Sequence, residues 1–211
     1  MGIAERKERE KERRRNEIID AAERVFFSKG WEKSSMDDVA EAAELSKGTL
    51  YIYFKSKEDL YLAIHLRGNK ILKNMFEDAV RKHKNGLDQV RAIGEAYFNY
   101  YDQYPDYFNA MIYYESRTLE FGDENSIARE CMLEGRATID ILVNSIVLGI
   151  KDGSIREDID PLKTAISLWG QSTGIIQIIA LKSDIISMHY SLKAYDIIEY
   201  TFALIYQSLR K

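Results

Sequence analysis

Between Ser34 and Asp59 the chain reads SSMDDVAEAAELSKGTLYIYFKSKED, and three of its serines stand where helices would begin. Ser35, Ser46 and Ser56 each carry a hydroxyl that can accept from the unpaired N–H groups of a first helical turn. Asp38 and Asp59, three residues after Ser35 and Ser56, complete the pattern of a capping box with Asp in place of Glu. Behind Ser35, the apolar residues Met36, Val39, Ala40 and Ala43 recur at helical spacing; behind Ser46, Leu50 and Phe54 fall four apart. Glu44-Leu45-Ser46 leaves room only for a tight turn. The spacing predicts two short helices joined by that turn, a helix-turn-helix, whose second helix suits a DNA major groove.

The outer face of that second helix holds Lys47, Gly48, Thr49, Tyr51, Ile52 and Tyr53, an unusual set for a face that meets only water. Gly48 costs a helix about 1 kcal/mol and suits close approach to another backbone. Lysine at the N-terminal end can donate to guanine O6 and N7, and the Thr49 methyl can meet a thymine methyl. Tyrosine hydroxyls and the ammonium groups of Lys55 and Lys57 suit phosphate. With Arg15 ahead of the first helix and the two capping serines, the expected DNA-binding set is Arg15, Ser35, Ser46, Lys47, Gly48, Thr49, Tyr51, Ile52, Tyr53, Lys55 and Lys57.

The chain here resembles the tetracycline-repressor (TetR) family of bacterial transcriptional regulators. The matching residues are Ile18 to Ala22, Phe26 to Trp31, Val39-Ala40 and the run from Leu45 to Glu58, so the likeness is close over roughly 14–62 and architectural beyond. It departs at Glu44, where the family usually has glycine; a left-handed conformation there would cost a non-glycine residue about 1–2 kcal/mol. The resemblance implies an all-α protein. An N-terminal three-helix helix-turn-helix DNA-binding domain at 16–60 follows a charged extension at 1–15. A larger helical ligand-binding and dimerisation domain occupies 61–211.

Bulk charge gives no support to nucleic-acid binding: the net charge is −4, and residues 1–60 carry 13 basic against 14 acidic side chains. Only the local distribution supports it, in the acid-free run Ser46–Lys57 and in Arg13-Arg14-Arg15. Residues 1–15 lack an apolar face and read as a solvated helical extension or, alternatively, a basic arm along phosphate. A charged N-terminus is unlike a secretory leader. No run of about 18 uncharged apolar residues predicts a membrane span. The single cysteine, Cys131, fits a reducing cytoplasm and reads as a buried small hydrophobe. Histidines at 65, 83 and 189 are scattered, no nucleophile or phosphate-cradling motif appears, and neither an enzyme, a cofactor nor a metal site is expected.

Ile18, Ala22, Val25 and Phe26 place a core-facing helix before Lys29-Gly30, with Trp31 packing on that core. A long helix from Lys57 to about Lys84 should end at Asn85-Gly86; by resemblance it is the lever that couples ligand to DNA-domain spacing. Tyrosines at 97, 100, 101, 104, 107, 113 and 114 crowd the next stretch, with Pro105 restarting a helix and Phe121-Gly122-Asp123 forming a loop. Aromatics at helical spacing are core or, with their polar tips, a pocket for an amphipathic ligand. The expected pocket is Tyr97, Tyr101, Tyr104, Phe108, Met111 and Trp169, for a small hydrophobic or aromatic effector.

Lys151 to Ser154 read as a turn, and Asp160-Pro161 as a capped helix start. The last two helices look more apolar than one contact face needs. By resemblance they pair with a second copy through Ile166, Thr173, Ile176, Ile197, Thr201, Phe202 and Ile205. The expected function is a homodimeric repressor that binds a palindromic DNA operator and is released by its effector. The alternatives are an activator, or a protein acting mainly through protein partners.

Overall fold

The computed structural model describes residues 2–115 and 126–211, without the side chains of Tyr114 and Glu115; the loop expected at Phe121-Gly122-Asp123 lies outside these. Nine α-helices occupy the described residues: α1 (Ile3–Lys29), α2 (Met36–Ala42), α3 (Lys47–Tyr53), α4 (Lys57–Val80), α5 (Gly86–Gln103), α6 (Pro105–Glu115), α7 (Ile127–Asp152), α8 (Pro161–Tyr190) and α9 (Ala194–Leu209). The chain divides into two compact units, Met1–Gly68 with Asp106–Met132, and Asn69–Pro105 with Leu133–Lys211. This division differs from a cut at residue 60, because α6 belongs with the N-terminal unit.

The first unit is built on α1. Ile18, Ile19, Ala21, Ala22, Val25 and Phe26 form its buried face, and Met36, Val39 and Ala40 of α2 with Leu50 and Phe54 of the α3 segment close over them. Residues 3–15 continue the same helix as a charged extension, exposed as far as Arg13 and half-buried at Arg14 and Arg15. Trp31 packs on this core, its ring centroid 5.4 Å from Phe26 and 4.8 Å from Tyr61. Three tyrosines tie α6 to the unit: Tyr61 donates to the Ala110 carbonyl at 2.7 Å, Tyr107 to Glu23 at 2.6 Å, and Tyr113 to Glu32 at 3.4 Å. Arg67 bridges Asp20 at 2.6 Å and Glu23 at 2.9 Å. Burial pushes the Glu23 carboxyl up, partly opposed by the hydrogen bond from Tyr107 and the charge of Arg67. Cys131 is buried, its thiol 3.4 Å from the Leu62 carbonyl.

In the second unit, Asn85-Gly86 does more than end α4. Asn85 caps α5, accepting from the Asp88 N–H at 2.8 Å. A Cβ on Gly86 would lie 2.0 Å from the Gly149 nitrogen, so only glycine permits this approach of α5 to α7. The turn after α7 docks there too, with Asp152 accepting the Gly86 N–H at 2.8 Å. Asp160 caps α8, accepting from the Lys163 N–H at 2.9 Å, with Pro161 following it.

Helix α8 has 30 residues and a window of mean hydropathy 1.2, so by length and composition alone it is long and apolar enough to cross a membrane. Its apolar residues divide between two faces. Ile176 and Ile179 are buried in the unit, whereas Leu162, Ile166, Ile178, Leu181, Ile185 and Met188 are exposed.

Candidate nucleic-acid interface

Helix α2 begins with the capping box that its sequence predicts. Ser35 Oγ accepts from the Asp38 N–H at 3.2 Å, and Asp38 accepts from the Ser35 N–H at 2.8 Å. The Lys29 ammonium, 2.6 Å away, and the Ser35 hydroxyl and N–H hold the Asp38 carboxyl down to about 2. At Ser56 the box is displaced: Ser56 Oγ accepts from the Asp59 N–H, but Asp59 reaches back to the Lys55 N–H at 3.0 Å.

The turn between α2 and α3 places Glu44 at φ 55°, the left-handed region that a side chain disfavours. The chain recovers bonds there, with Leu45 N–H donating to the Ala40 carbonyl at 2.9 Å and Glu44 N–H to the Glu41 carbonyl at 3.0 Å. Ser46 then caps α3, accepting from the Thr49 N–H at 3.1 Å, its hydroxyl 2.8 Å from that of Thr49. Leu50 faces inward with no exposed surface, and Phe54 is 1% exposed. This pins the opposite side of α3 outward, where Ile52 is 79% and Tyr51 42% exposed. Around Gly48 a Cβ would meet only Ser46 Oγ, at 3.9 Å. No neighbouring atom in the fold demands glycine there.

The expected DNA residues therefore divide. Lys47, Gly48, Thr49, Tyr51 and Ile52 share the outward face of α3, and Lys55 is exposed just beyond it. Lys47 is held by Asp37, Nζ lying 2.7 and 3.0 Å from its two carboxylate oxygens, and the hydrogen bond and charge of Asp37 raise its pKa. Tyr53 is half-buried against the core. Ser35 is engaged in its cap, and the Arg15 guanidinium stands 5.1 Å over the Phe54 ring. Lys57 departs from expectation: its ammonium lies 4.2 Å over the Trp31 indole and donates to the Trp31 carbonyl. Trp31 is 26 residues earlier in the chain, so local sequence could not show that this lysine has an intramolecular partner.

The expected effector residues also separate. Tyr97 and Trp169 line a small apolar cavity of about 50 Å³ in the second unit, with Phe76, Ile93, Leu142, Leu168 and Ile205. The Tyr97 hydroxyl lies 2.8 Å from that of Thr173. Tyr101 stacks toward Phe98 at 6.2 Å and Tyr104 toward Tyr100 at 5.9 Å. Phe108 and Met111, expected in the same pocket, are buried on α6 in the first unit. Val90, Ile139 and the polar Ser172 complete the cavity wall, and none of them is aromatic.

The expected dimer residues differ in exposure within the single chain. Ile176 is 3% exposed, and Thr173 is occupied with Tyr97. Ile197, Thr201, Phe202 and Ile205 are half-buried, Phe202 and Ile205 lining cavities of their own unit. Only Ile166 of that set is exposed. The exposed apolar residues of the last two helices include Ile166, Ile178, Leu181, Ile185 and Met188 of α8 with Tyr200 and Leu204 of α9. Gly170 and Gly174, with open space where a Cβ would stand, lie on the same helix.

Two capped helices in this arrangement, the second turning an acid-free lysine- and tyrosine-bearing face outward, form a helix-turn-helix. Residues 18–64, the segment that holds the buried face of α1, α2, α3 and the start of α4, match the family model described as "Bacterial regulatory proteins, tetR family". It is 34% identical over 90 residues to "HTH-type transcriptional activator FasR" of Mycolicibacterium smegmatis, covering 43% of this chain and 41% of the relative. To "HTH-type transcriptional repressor KstR2" of Rhodococcus jostii it is 28% identical over 153 residues, 70% of each. The match thus spans less than half of the first relative's length and somewhat over two thirds of the second's. The fold is shared with the transcriptional regulator FadR from Bacillus subtilis in complex with stearoyl-CoA, at TM-score 0.70 and 18% identity over 91% of this chain and 97% of that one.

Proposed function

We propose that this protein is a homodimeric, cytoplasmic transcriptional repressor that reads a palindromic operator through α3 and is released by a small apolar effector. The observation that carries this reading is the outward face of α3. Lys47, Gly48, Thr49, Tyr51 and Ile52 are presented together, and the fold needs neither the exposed Ile52 nor the absent side chain at Gly48. One helix of this length reads only a few base pairs, and a two-fold pair reads two half-sites one helical turn apart. The exposed faces of α8 and α9 supply the apolar surface for that pairing.

The effector site is the apolar cavity around Tyr97 and Trp169. At about 50 Å³ it is closed to anything of drug size, so an effector must open it. The Bacillus subtilis regulator holds stearoyl-CoA, and an acyl chain suits walls of Phe, Ile, Leu and Trp. Because a ligand shifts an equilibrium only by its differential affinity, the effector must favour the state that DNA disfavours.

Selection of binding sites from random duplex DNA, with Lys47→Ala in parallel, tests the reading. Recovery of an inverted repeat by the wild type, with the preference at one position per half-site relaxed in Lys47→Ala, is the expected result. A folded dimer that enriches no sequence, with or without added stearoyl-CoA, would instead favour action through protein partners.

A further inference from the structure

Asp37 stands in the first turn of α2 but takes no part in its capping box. The capping box at the start of α2 is complete without it, since Ser35 and Asp38 supply both hydrogen bonds and Asp38 also takes the Lys29 ammonium. Among the described residues, the hydrogen bond and ion pair of Asp37 both go to Lys47, across the turn on α3. Its carboxylate is 65% exposed and grips the ammonium with both oxygens, at 2.7 and 3.0 Å. The lysine at the N-terminal end of α3 thus reaches DNA with a negative charge beside it.

That charge separates the two kinds of acceptor DNA offers. A phosphate brought to this ammonium also meets the carboxylate, and the pair must break or the repulsion must be borne. Guanine offers N7 and O6, two acceptors without net charge. A shared ammonium can serve them while Asp37 keeps its place. We propose that Asp37 is a specificity-determining residue, which acts by steering Lys47 away from phosphate and onto a guanine edge. The inference rests on the DNA-reading function proposed above. Asp37 is a positioning residue, because the base contact is made by Lys47.

The test uses the full-length dimer and two duplexes: the selected site, and the same site with the guanine facing Lys47 replaced by adenine in both half-sites. In Asp37→Asn the affinity ratio between them should fall by about tenfold, chiefly through tighter binding of the substituted duplex. On that duplex the log–log salt slope should steepen by up to about 2 per dimer, one phosphate contact from each freed lysine. Asp37→Glu should keep the wild-type preference, and in a Lys47→Met background Asp37→Asn should leave the ratio unchanged. If Asp37→Asn loses affinity for both duplexes equally, or its ratio matches the wild type, the inference is overturned while the DNA-reading function stands. If the wild type itself prefers neither duplex, both fall together.

Discussion

Glu44 holds φ 55° in the turn on which the helix-turn-helix depends, and its side chain makes that conformation costly. Glu44→Gly should therefore raise stability by about 1 kcal/mol in chemical denaturation without changing the selected DNA site. An unchanged or lower stability would show that the turn is not strained. His65, 4% exposed, is held down to about 4 by burial. Between pH 6.5 and 4 the unfolded chain takes up a proton that the buried imidazole refuses, so this contribution is present above 6.5 and lost as pH falls. The loss should reach about 2–3 kcal/mol at pH 4.5, seen as a difference in urea midpoints that His65→Gln removes; an equal pH slope in the two proteins would contradict it. Residue roles were legible where they are local. Ser35, Ser46 and Asp160 cap the helices they precede, because cap and first turn are a few residues apart. Lys57 was not legible, since what fixes it is Trp31 on the far side of α2 and α3. Lys57→Ala should accordingly lower stability by about 1 kcal/mol or more and leave the salt dependence of DNA binding in place. A flattened salt slope at unchanged stability would return Lys57 to the phosphate.

Among the elements, α3 was readable and α8 was not, for one physical reason. Leu50 and Phe54 are the apolar pair that α3 and its cap residue turn inward, so its orientation follows from burying them and every outward residue follows in turn. Helix α8 is apolar on more than one side, and periodicity cannot tell a face that meets its own unit from one left for a second copy. The fold makes that choice: Ile176 and Ile179 go inward, Ile178 and Leu181 outward. Pairing through the outward face predicts that Ile178→Arg with Leu204→Arg yields folded monomers by sedimentation equilibrium. Ile176→Ala should lower stability by about 2–4 kcal/mol, yet dimerise when folded. A dimer that survives both arginines would place the interface elsewhere.

At the scale of the whole chain, the order of elements and the all-helical class were accessible from caps, prolines and apolar spacing. The assignment of α6 to the first unit was not, because the tyrosine bonds from Tyr61, Tyr107 and Tyr113 span distant parts of the sequence. Phe108 and Met111 lie on α6 in the first unit, and Tyr97 and Trp169 line a cavity of the second. With Trp31→Phe, Trp169 is the one tryptophan left, and stearoyl-CoA should shift its emission as the cavity opens; an emission unmoved at saturating ligand would argue against this cavity. The central claim is that two copies of α3 read two half-sites from one face of the duplex. Its most direct measurement is the affinity of the full-length protein for the selected inverted repeat and for the same repeat with five base pairs inserted at its centre. Half a helical turn moves one half-site to the opposite face. A loss of about a hundredfold or more is expected. Equal affinity for both duplexes would contradict a symmetric dimeric reader.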